Sequence, residues 1–118
     1  MDTADPRTVE GQLLEQISIV TEKLNHKVVP DIESYEKQVK EFLSRQKAGG
    51  QGEIHSKEQK KLQDYGAYLN EQLMNILFDF DGILTGIDEK ARHQRKEGVR
   101  QAQALLDKVD NIKSLVKN

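Results

Sequence analysis

The chain has 118 residues, of which 36% are apolar and 32% are charged; this balance is typical of a thin helical bundle with a narrow apolar stripe on each helix. A formal net charge of −2 creates no overall field that would attract nucleic acid, and the lack of cysteine excludes disulfides, thiolate catalysis and cysteine-bound zinc. No apolar run approaches the roughly 20 residues that span a bilayer, and residues 1–11 lack the regions of a signal peptide, so we expect a soluble, cytoplasmic protein or a fragment of one.

A first long helix is predicted over residues 6–46, with Asp5 as its N-cap and Pro6 at its first helical position. Its apolar positions follow one another in steps of three and four: Leu13, Ile17, Val20, Leu24, Val28, Ile32, Tyr35, Val39 and Phe42. Pro30 falls inside this run, where it removes a backbone hydrogen bond and clashes with the preceding turn. Because the apolar register continues across Pro30, we expect one bent helix; a break near Val29 is the alternative.

Residues 47–52 are rich in glycine and predict a flexible loop. A second helix is predicted over residues 57–84, because Ser56 and the residues after it form a capping-box pattern. Its apolar stripe contains Leu62, Tyr65, Leu69, Leu73, Ile76, Leu77, Phe80 and Leu84.

A third helix is predicted over residues 89–116, with Asp88 as its N-cap. Its apolar stripe contains Val99, Ala102, Leu106, Val109, Ile112 and Val116. Long helices with short or flexible connections pack as antiparallel neighbours. We therefore predict an all-α fold, a three-helix antiparallel bundle that forms a single domain over residues 1–118.

The segment Ile76–Thr85 resembles the first motif of haloacid-dehalogenase-type phosphatases, an apolar strand followed by Asp-x-Asp-Gly-Thr. That resemblance would make Asp79 the nucleophile and Asp81 the acid–base. Against it, Ile83 replaces the threonine of the motif, the preceding residues have a helical period, and residues 86–118 leave no room for the remaining parts of the fold. We expect no enzymatic activity and keep a phosphatase fragment as a remote alternative.

The three histidines, His26, His55 and His93, lie far apart and have no histidine or cysteine partner at helical spacing. No glycine-rich loop has the spacing of a phosphate-binding loop. We therefore expect neither a metal site nor a cofactor.

Polar residues on the second and third helices form two strips. Glu71 and Asp81 are ten residues apart, which separates them by about 15 Å along the axis and about 80° around it. On the third helix, Lys96, Arg100 and Gln103 follow a helical stripe away from the apolar line. By charge alone, such strips indicate an ordinary solvated bundle surface.

The segments Glu71–Leu77 and Arg95–Gln103, with Asp81 between them, closely resemble the second and third helices of the BAG domain. This is a family of cochaperones for the seventy-kilodalton heat-shock proteins, and its fold is a three-helix antiparallel bundle. The resemblance is strong over residues 62–113 and weaker over the first helix.

The resemblance implies a cochaperone that binds the ATPase domain of such a chaperone and promotes nucleotide exchange without chemistry of its own. The implied contact residues are polar and lie on the last two helices: Glu71, Asp81, Arg95, Lys96 and Gln103. Arg100 is a further candidate contact.

A helical scaffold or dimerisation module with another protein partner is the second hypothesis. The first helix is long and amphipathic, and Ile19 and Val29 fall off its main stripe, where they would form a second contact surface. We expect a protein partner, with a homodimer as an alternative or additional one, and neither nucleic acid nor membrane.

Overall fold

The computed structural model describes residues 6–49 and 52–117, and the side chains of residues 11–49 and 52–117. Its helical elements are α1 Pro6–Lys23, a π-helical turn Leu24–Val28, α2 Val29–Lys47, α3 Glu53–Asp81 and α4 Glu89–Leu115. Neither described range contains a strand, which confirms the predicted all-α fold class. The bundle is a rod with extents of 72 × 20 × 17 Å, so it is about two helix diameters across.

The run from α1 through α2 lies antiparallel to α3. Arg45 forms an ion pair with Glu58 next to the glycine-rich loop, and Lys23 Nζ lies 3.9 Å from a carboxylate oxygen of Asp79 far from it. Residues early in α3 thus meet residues late in α2, and residues late in α3 meet the end of α1.

α4 reverses direction again and packs along α3. The side-chain amide of Gln63 donates to the carbonyl of Val116 at 2.8 Å, and Arg95 Nη1 donates to the carbonyl of Ile83 at 2.9 Å. The start of α3 therefore lies beside the end of α4. The result is the three-helix antiparallel arrangement in which α1, the π-helical turn and α2 act as the first helix.

One apolar core runs the length of the rod. Its buried members are Ile17, Val20, Leu24, Val28, Ile32, Tyr35, Val39, Phe42, Leu62, Leu69, Leu73, Ile76, Phe80, Ile83, Ala91, Ala102, Val109, Ile112 and Val116. Complete burial of one such large aliphatic or aromatic side chain stabilises the fold by about 1.5–3 kcal/mol. In the part of the chain that the structure covers, no helix is long and apolar enough to cross a membrane.

The first helix remains helical across Pro30. The backbone N–H of Val29 donates to the carbonyl of Leu24, five residues back, so the residues just before the proline form a π-helical turn. This wider turn gives the proline ring room beside the preceding carbonyls, where a regular α-helix would clash. The chain continues as helix through Val29, so the alternative of a break there does not occur. The predicted N-cap Asp5 lies outside the described residues.

The second helix begins earlier than the capping-box pattern predicts. α3 starts at Glu53, after Gly52 takes φ +111°, and Ser56 lies inside the first turns as an ordinary helical residue. The additional turn is held by His55, whose ring stacks on Phe42 of α2 with 4.1 Å between ring centroids. A contact between distant residues thus extends the helix beyond its local start signal.

The connector between α3 and α4 differs from its prediction at one end. α3 ends at Asp81, so Leu84, predicted as a core residue of the second helix, lies in the connector with 81% of its surface exposed. Ile83 takes the buried position there. At the other end the prediction is confirmed, because the Asp88 side chain accepts from the backbone N–H of Ala91 at 3.0 Å as an N-cap.

Candidate functional site

Two exposed carboxylates lie on the side of α3 that faces α4 and solvent. Gln63 marks the edge next to α4, since its amide donates to Val116 at 2.8 Å. Asp81 follows Gln63 by eighteen residues, about five helical turns, and therefore lies on the same edge. Glu71 precedes Asp81 by ten residues, so it lies about 15 Å nearer the start of α3 and about 80° around the axis toward solvent. Both carboxylates are exposed and available to a partner.

A matching line of polar residues lies on the neighbouring edge of α4. Lys96, Gln103 and Asp110 repeat every seven residues and so share one side of the helix. Asp110 Oδ1 accepts a hydrogen bond from Asn70 Nδ2 of α3 at 3.1 Å, which places this line beside α3. Lys96 and Gln103 are exposed. Glu71, Asp81, Lys96 and Gln103 therefore form one surface, which we call the α3–α4 face.

A glycine sets the distance between the two helices of this face. A Cβ atom on Gly98 would lie 2.3 Å from Cζ of the buried Phe80 ring, closer than any real Cβ contact. The absence of a side chain at Gly98 lets the ring of α3 lie directly against the backbone of α4. The separation between the acidic and the basic edge thus depends on the small size of Gly98.

Two arginines of α4 hold the connector. Arg95 Nη1 donates to the carbonyl of Ile83 at 2.9 Å, and Arg92 Nη2 donates to the carbonyl of Gly86 at 2.8 Å. The Arg95 side chain is half-buried, and one of its nitrogens is occupied in the free protein. A guanidinium carries five N–H donors, so Arg95 keeps donors for a partner at the end of the α3–α4 face next to the connector.

Arg100 lies four residues after Lys96, about 40° farther around α4 and away from α3. Its Nη1 lies 3.2 Å from a carboxylate oxygen of Glu97, and the side chain lines an open groove between α1 and α4. The groove residues from α1 include Ser18 and Thr21, and Asn25 of the π-helical turn also lines the groove. Arg100 therefore borders the α3–α4 face with its guanidinium turned toward Glu97 and the groove, and its role as a further contact stays a prediction.

The phosphatase-like motif has a helical conformation. Asp79 and Asp81 both lie in the last turns of α3, where a spacing of two residues places them about 160° apart around the axis. Asp79 pairs with Lys23 of α1, while Asp81 faces the α4 side. A nucleophile and an acid–base must converge on one substrate atom, and these two carboxylates diverge. The remote phosphatase hypothesis therefore lacks the geometry it requires.

Two apolar residues on the α3–α4 face were missed by the sequence analysis. Phe78 and Met74 expose 62% and 41% of their surfaces. Their omission from the predicted apolar stripe was correct, because neither is in the core. The signal that could have identified them is their position between Glu71 and Asp81, at spacings of three and four residues.

The chemistry available on the α3–α4 face is that of binding. It presents exposed carboxylates, an ammonium group, an amide and a partly free guanidinium on rigid helices. Within the described ranges, no three histidine or acidic side chains are grouped as metal ligands. Charged groups on a helical scaffold recognise a surface of complementary charge.

A comparison with known protein families matches residues 17–112 to the BAG domain. The chain belongs to the BAG domain family. This confirms the resemblance drawn from the second and third helices and extends it over most of the first helix. No curated protein and no solved structure gives a significant match.

BAG domains are non-enzymatic cochaperone modules that act on seventy-kilodalton heat-shock chaperones. The matched range of this BAG domain contains every residue of the α3–α4 face, together with Arg95 and Arg100. It also contains the π-helical turn at Leu24–Val28, so the irregularity before Pro30 lies within the domain.

Proposed function

We propose that this BAG domain binds the ATPase domain of a seventy-kilodalton heat-shock chaperone through the α3–α4 face and accelerates the release of ADP. The observation that carries the proposal is the meeting of Glu71 and Asp81 with Lys96 and Gln103 on adjacent edges of two helices. These residues come from separate parts of the sequence, and family membership supplies the class of partner.

Each residue of the site has a role that follows from its charge. Glu71 and Asp81 accept hydrogen bonds from basic groups of the chaperone, and Lys96 contributes a positive contact about level with Asp81. Gln103 adds a neutral hydrogen bond on the same line of α4. Arg95 extends its free N–H donors to a chaperone carboxylate while its Nη1 holds Ile83.

The exchange reaction needs no chemistry in this chain. A binder shifts a conformational equilibrium only by the difference between its affinities for the two states. A rigid face that fits the ATPase domain better when its nucleotide cleft is open increases the open population, and ADP leaves faster. ATP then binds, and the client polypeptide is released.

Stopped-flow release of a fluorescent ADP analogue from the chaperone ATPase domain tests this proposal. The wild-type chain is expected to accelerate release, and Glu71→Ala/Lys96→Ala is expected to lose most of the acceleration. Glu33→Ala/Lys37→Ala is the matched control, because it also removes one exposed acid and one exposed base, but from α2. No acceleration by the folded wild type would refute the exchange function.

The exposed charges removed by these variants contribute little to folding, about 0–1 kcal/mol each, so all variants should remain folded. Loss of acceleration in the α2 variant as well would refute the assignment to the α3–α4 face.

A homodimer formed through the first helix is the second candidate. Ile19 exposes 60% of its surface on α1, whereas Val29 is half-buried, so Ile19 is the stronger candidate contact. Light scattering over a range of concentrations, with Ile19→Ser as the variant, tests this alternative. A molecular mass that stays that of a monomer at all concentrations would reject the homodimer.

A cytoplasmic location of the protein stays a prediction.

A further inference from the structure

Two large apolar side chains of α3 are exposed where the charge pattern predicts only polar contacts. Phe78 exposes 62% of its surface and Met74 exposes 41%. A single exposed apolar residue is common on any protein surface and carries no meaning by itself. Here two of them are neighbours on one side of one helix, four residues apart.

The helical spacing ties this pair to the two carboxylates. Glu71 and Phe78 are seven residues apart, and so are Met74 and Asp81, so the two pairs interleave along the axis. Seven residues amount to about two turns, which keeps all four side chains on a single stripe about 80° wide. Along that stripe a carboxylate stands at each end and the two apolar side chains lie between.

The stripe belongs to the side of α3 that faces away from the first helix. Lys23 of α1 reaches Asp79, and the ring of Tyr68 lies beside that of Tyr65, with 6.3 Å between centroids, toward α2. The Phe78 side chain lies on a different side of α3 from Asp79 and Tyr68, and no core residue covers it. The surface is therefore continuous with Lys96 and Gln103 across the α3–α4 boundary.

Apolar side chains ringed by polar ones are the usual anatomy of a protein-binding surface. Aromatic residues and methionine are enriched at the centres of such surfaces, and charges occupy the rim. Binding energy concentrates in a few buried anchors, of which large aromatic residues are typical. The flexible thioether of methionine adapts to the shape of a partner.

We propose that Phe78 and Met74 form the apolar centre of the surface that binds the chaperone ATPase domain. This inference rests on the proposed function and deepens it. The complementary surface of the partner is a shallow apolar recess bordered by arginine or lysine side chains, which pair with Glu71 and Asp81. The charged rim sets orientation and the rate of encounter, and Phe78 sets the lifetime of the complex.

Titration calorimetry of nucleotide-free ATPase domain with wild-type, Phe78→Ala, Phe78→Leu and Tyr68→Ala chains tests the inference. Phe78→Ala is expected to raise Kd at least tenfold, while Phe78→Leu retains most of the affinity. Tyr68→Ala is the matched control, an aromatic residue of the same helix with 43% of its surface exposed, and its Kd should stay within twofold of wild type.

The salt dependence and heat capacity of binding separate an apolar anchor from a charged one. Phe78→Ala keeps every charge, so the slope of log Kd against log salt should not change, and the heat capacity change on binding should become less negative. A wild type that binds while Phe78→Ala stays within twofold of it overturns the inference alone. A folded wild type that does not bind overturns the proposed function and the inference with it.

Discussion

Arg95 connects the candidate site to the connector that joins its two helices. Its Nη1 donates to the carbonyl of Ile83 at 2.9 Å, which leaves its other N–H donors for the proposed partner. If a chaperone carboxylate is buried against these donors, Arg95→Ala should weaken binding by about 2–5 kcal/mol, because the carboxylate loses its charged partner. Titration calorimetry against the ATPase domain measures the loss.

Arg92→Ala is the control for the connector bond of Arg95. Arg92 also donates to a connector carbonyl, that of Gly86 at 2.8 Å, but is not among the proposed contacts. Both variants should lose a similar, small amount of folding free energy, about 0.5–1.5 kcal/mol. A binding loss below about 0.5 kcal/mol for Arg95→Ala would remove Arg95 from the site.

The buried Tyr35 allows a prediction about folding stability alone. Its ring is fully buried, and its hydroxyl has no hydrogen-bond partner among the described residues. A buried hydroxyl without a partner costs about 1–3 kcal/mol, so Tyr35→Phe should be neutral or stabilising by about 1 kcal/mol in urea unfolding at pH 7. Destabilisation by more than about 1 kcal/mol would mean that the hydroxyl has a favourable contact.

The same variant should alter the alkaline limit of stability. Burial raises the pKa of Tyr35 above its ordinary value of 10.0, and burial also raises the pKa of Tyr65. The unfolded chain then ionises before the folded one, so the stability contribution is complete below pH 10 and falls as pH rises through the folded pKa. Urea unfolding measured from pH 8 to 11 should show that Tyr35→Phe loses less free energy of unfolding than the wild type as pH rises. The loss that remains in the variant is the contribution of Tyr65.

At the scale of the elements, the spacing of α3 and α4 depends on Gly98. In Gly98→Ala the new Cβ would meet the Phe80 ring at 2.3 Å, and a ring in the core cannot yield without moving its helix. Overpacking of this kind costs about 1–3 kcal/mol. Because the helices must separate, affinity for the ATPase domain should also fall, by at least fivefold under conditions where the variant is folded.

Gly11→Ala separates this effect from the general preference of helices for alanine. Gly11 lies in α1, and a Cβ there meets no atom within 4 Å. The substitution should stabilise the fold by about 0.5–1 kcal/mol in thermal unfolding and leave binding unchanged. Equal affinities of Gly98→Ala and the wild type would show that the helix spacing does not control the site.

The elements show what could be predicted from the sequence. Periodic apolar residues predicted all the long helices, and Asp88 predicted the start of α4, because these signals act over a few residues. Leu84 and Ser56 were assigned wrongly because tertiary contacts decided the helix ends: Ile83 fills the core position at the connector, and His55 stacking extends α3 to Glu53. Local patterns do not contain such contacts between distant segments.

The candidate site was predictable in part. The residues of the α3–α4 face came from the resemblance to the BAG domain, and their helical spacing was consistent with a shared side. The pairing of Arg100 with Glu97 within α4 and the hydrogen bond from Arg95 to Ile83 follow from side-chain contacts that the apolar period does not contain. Exposure of Phe78 depends on how α3 rotates against its two neighbours, which the period of one helix does not determine.

At the scale of the whole molecule, the rod supports the proposed binding face. α3 and α4 form the face, and the run from α1 through α2 packs against both from behind, with Lys23 on Asp79 and Lys108 on Glu36 as bridges. A core that runs through a rod 72 Å long resists bending of the face. Such a support lets binding energy act on the conformation of the partner instead of on its own.

Thermodynamic linkage then gives a prediction about the complete complex. If the chain favours the open ATPase domain, bound nucleotide must weaken the binding of the chain by the same factor by which the chain weakens nucleotide binding. Couplings of this kind amount to about 1–3 kcal/mol, or about 5–150-fold in Kd. Calorimetry should therefore show tighter binding to the nucleotide-free domain than to the ADP-loaded domain. The ratio of these two dissociation constants should equal the ratio of ADP affinities measured without and with saturating chain.

Glu71→Ala/Lys96→Ala should weaken binding in both states, since these charges contribute to docking. Equal Kd values for the nucleotide-free and ADP-loaded domains would mean that the chain binds without driving exchange, because a ligand with equal affinity for two states shifts neither.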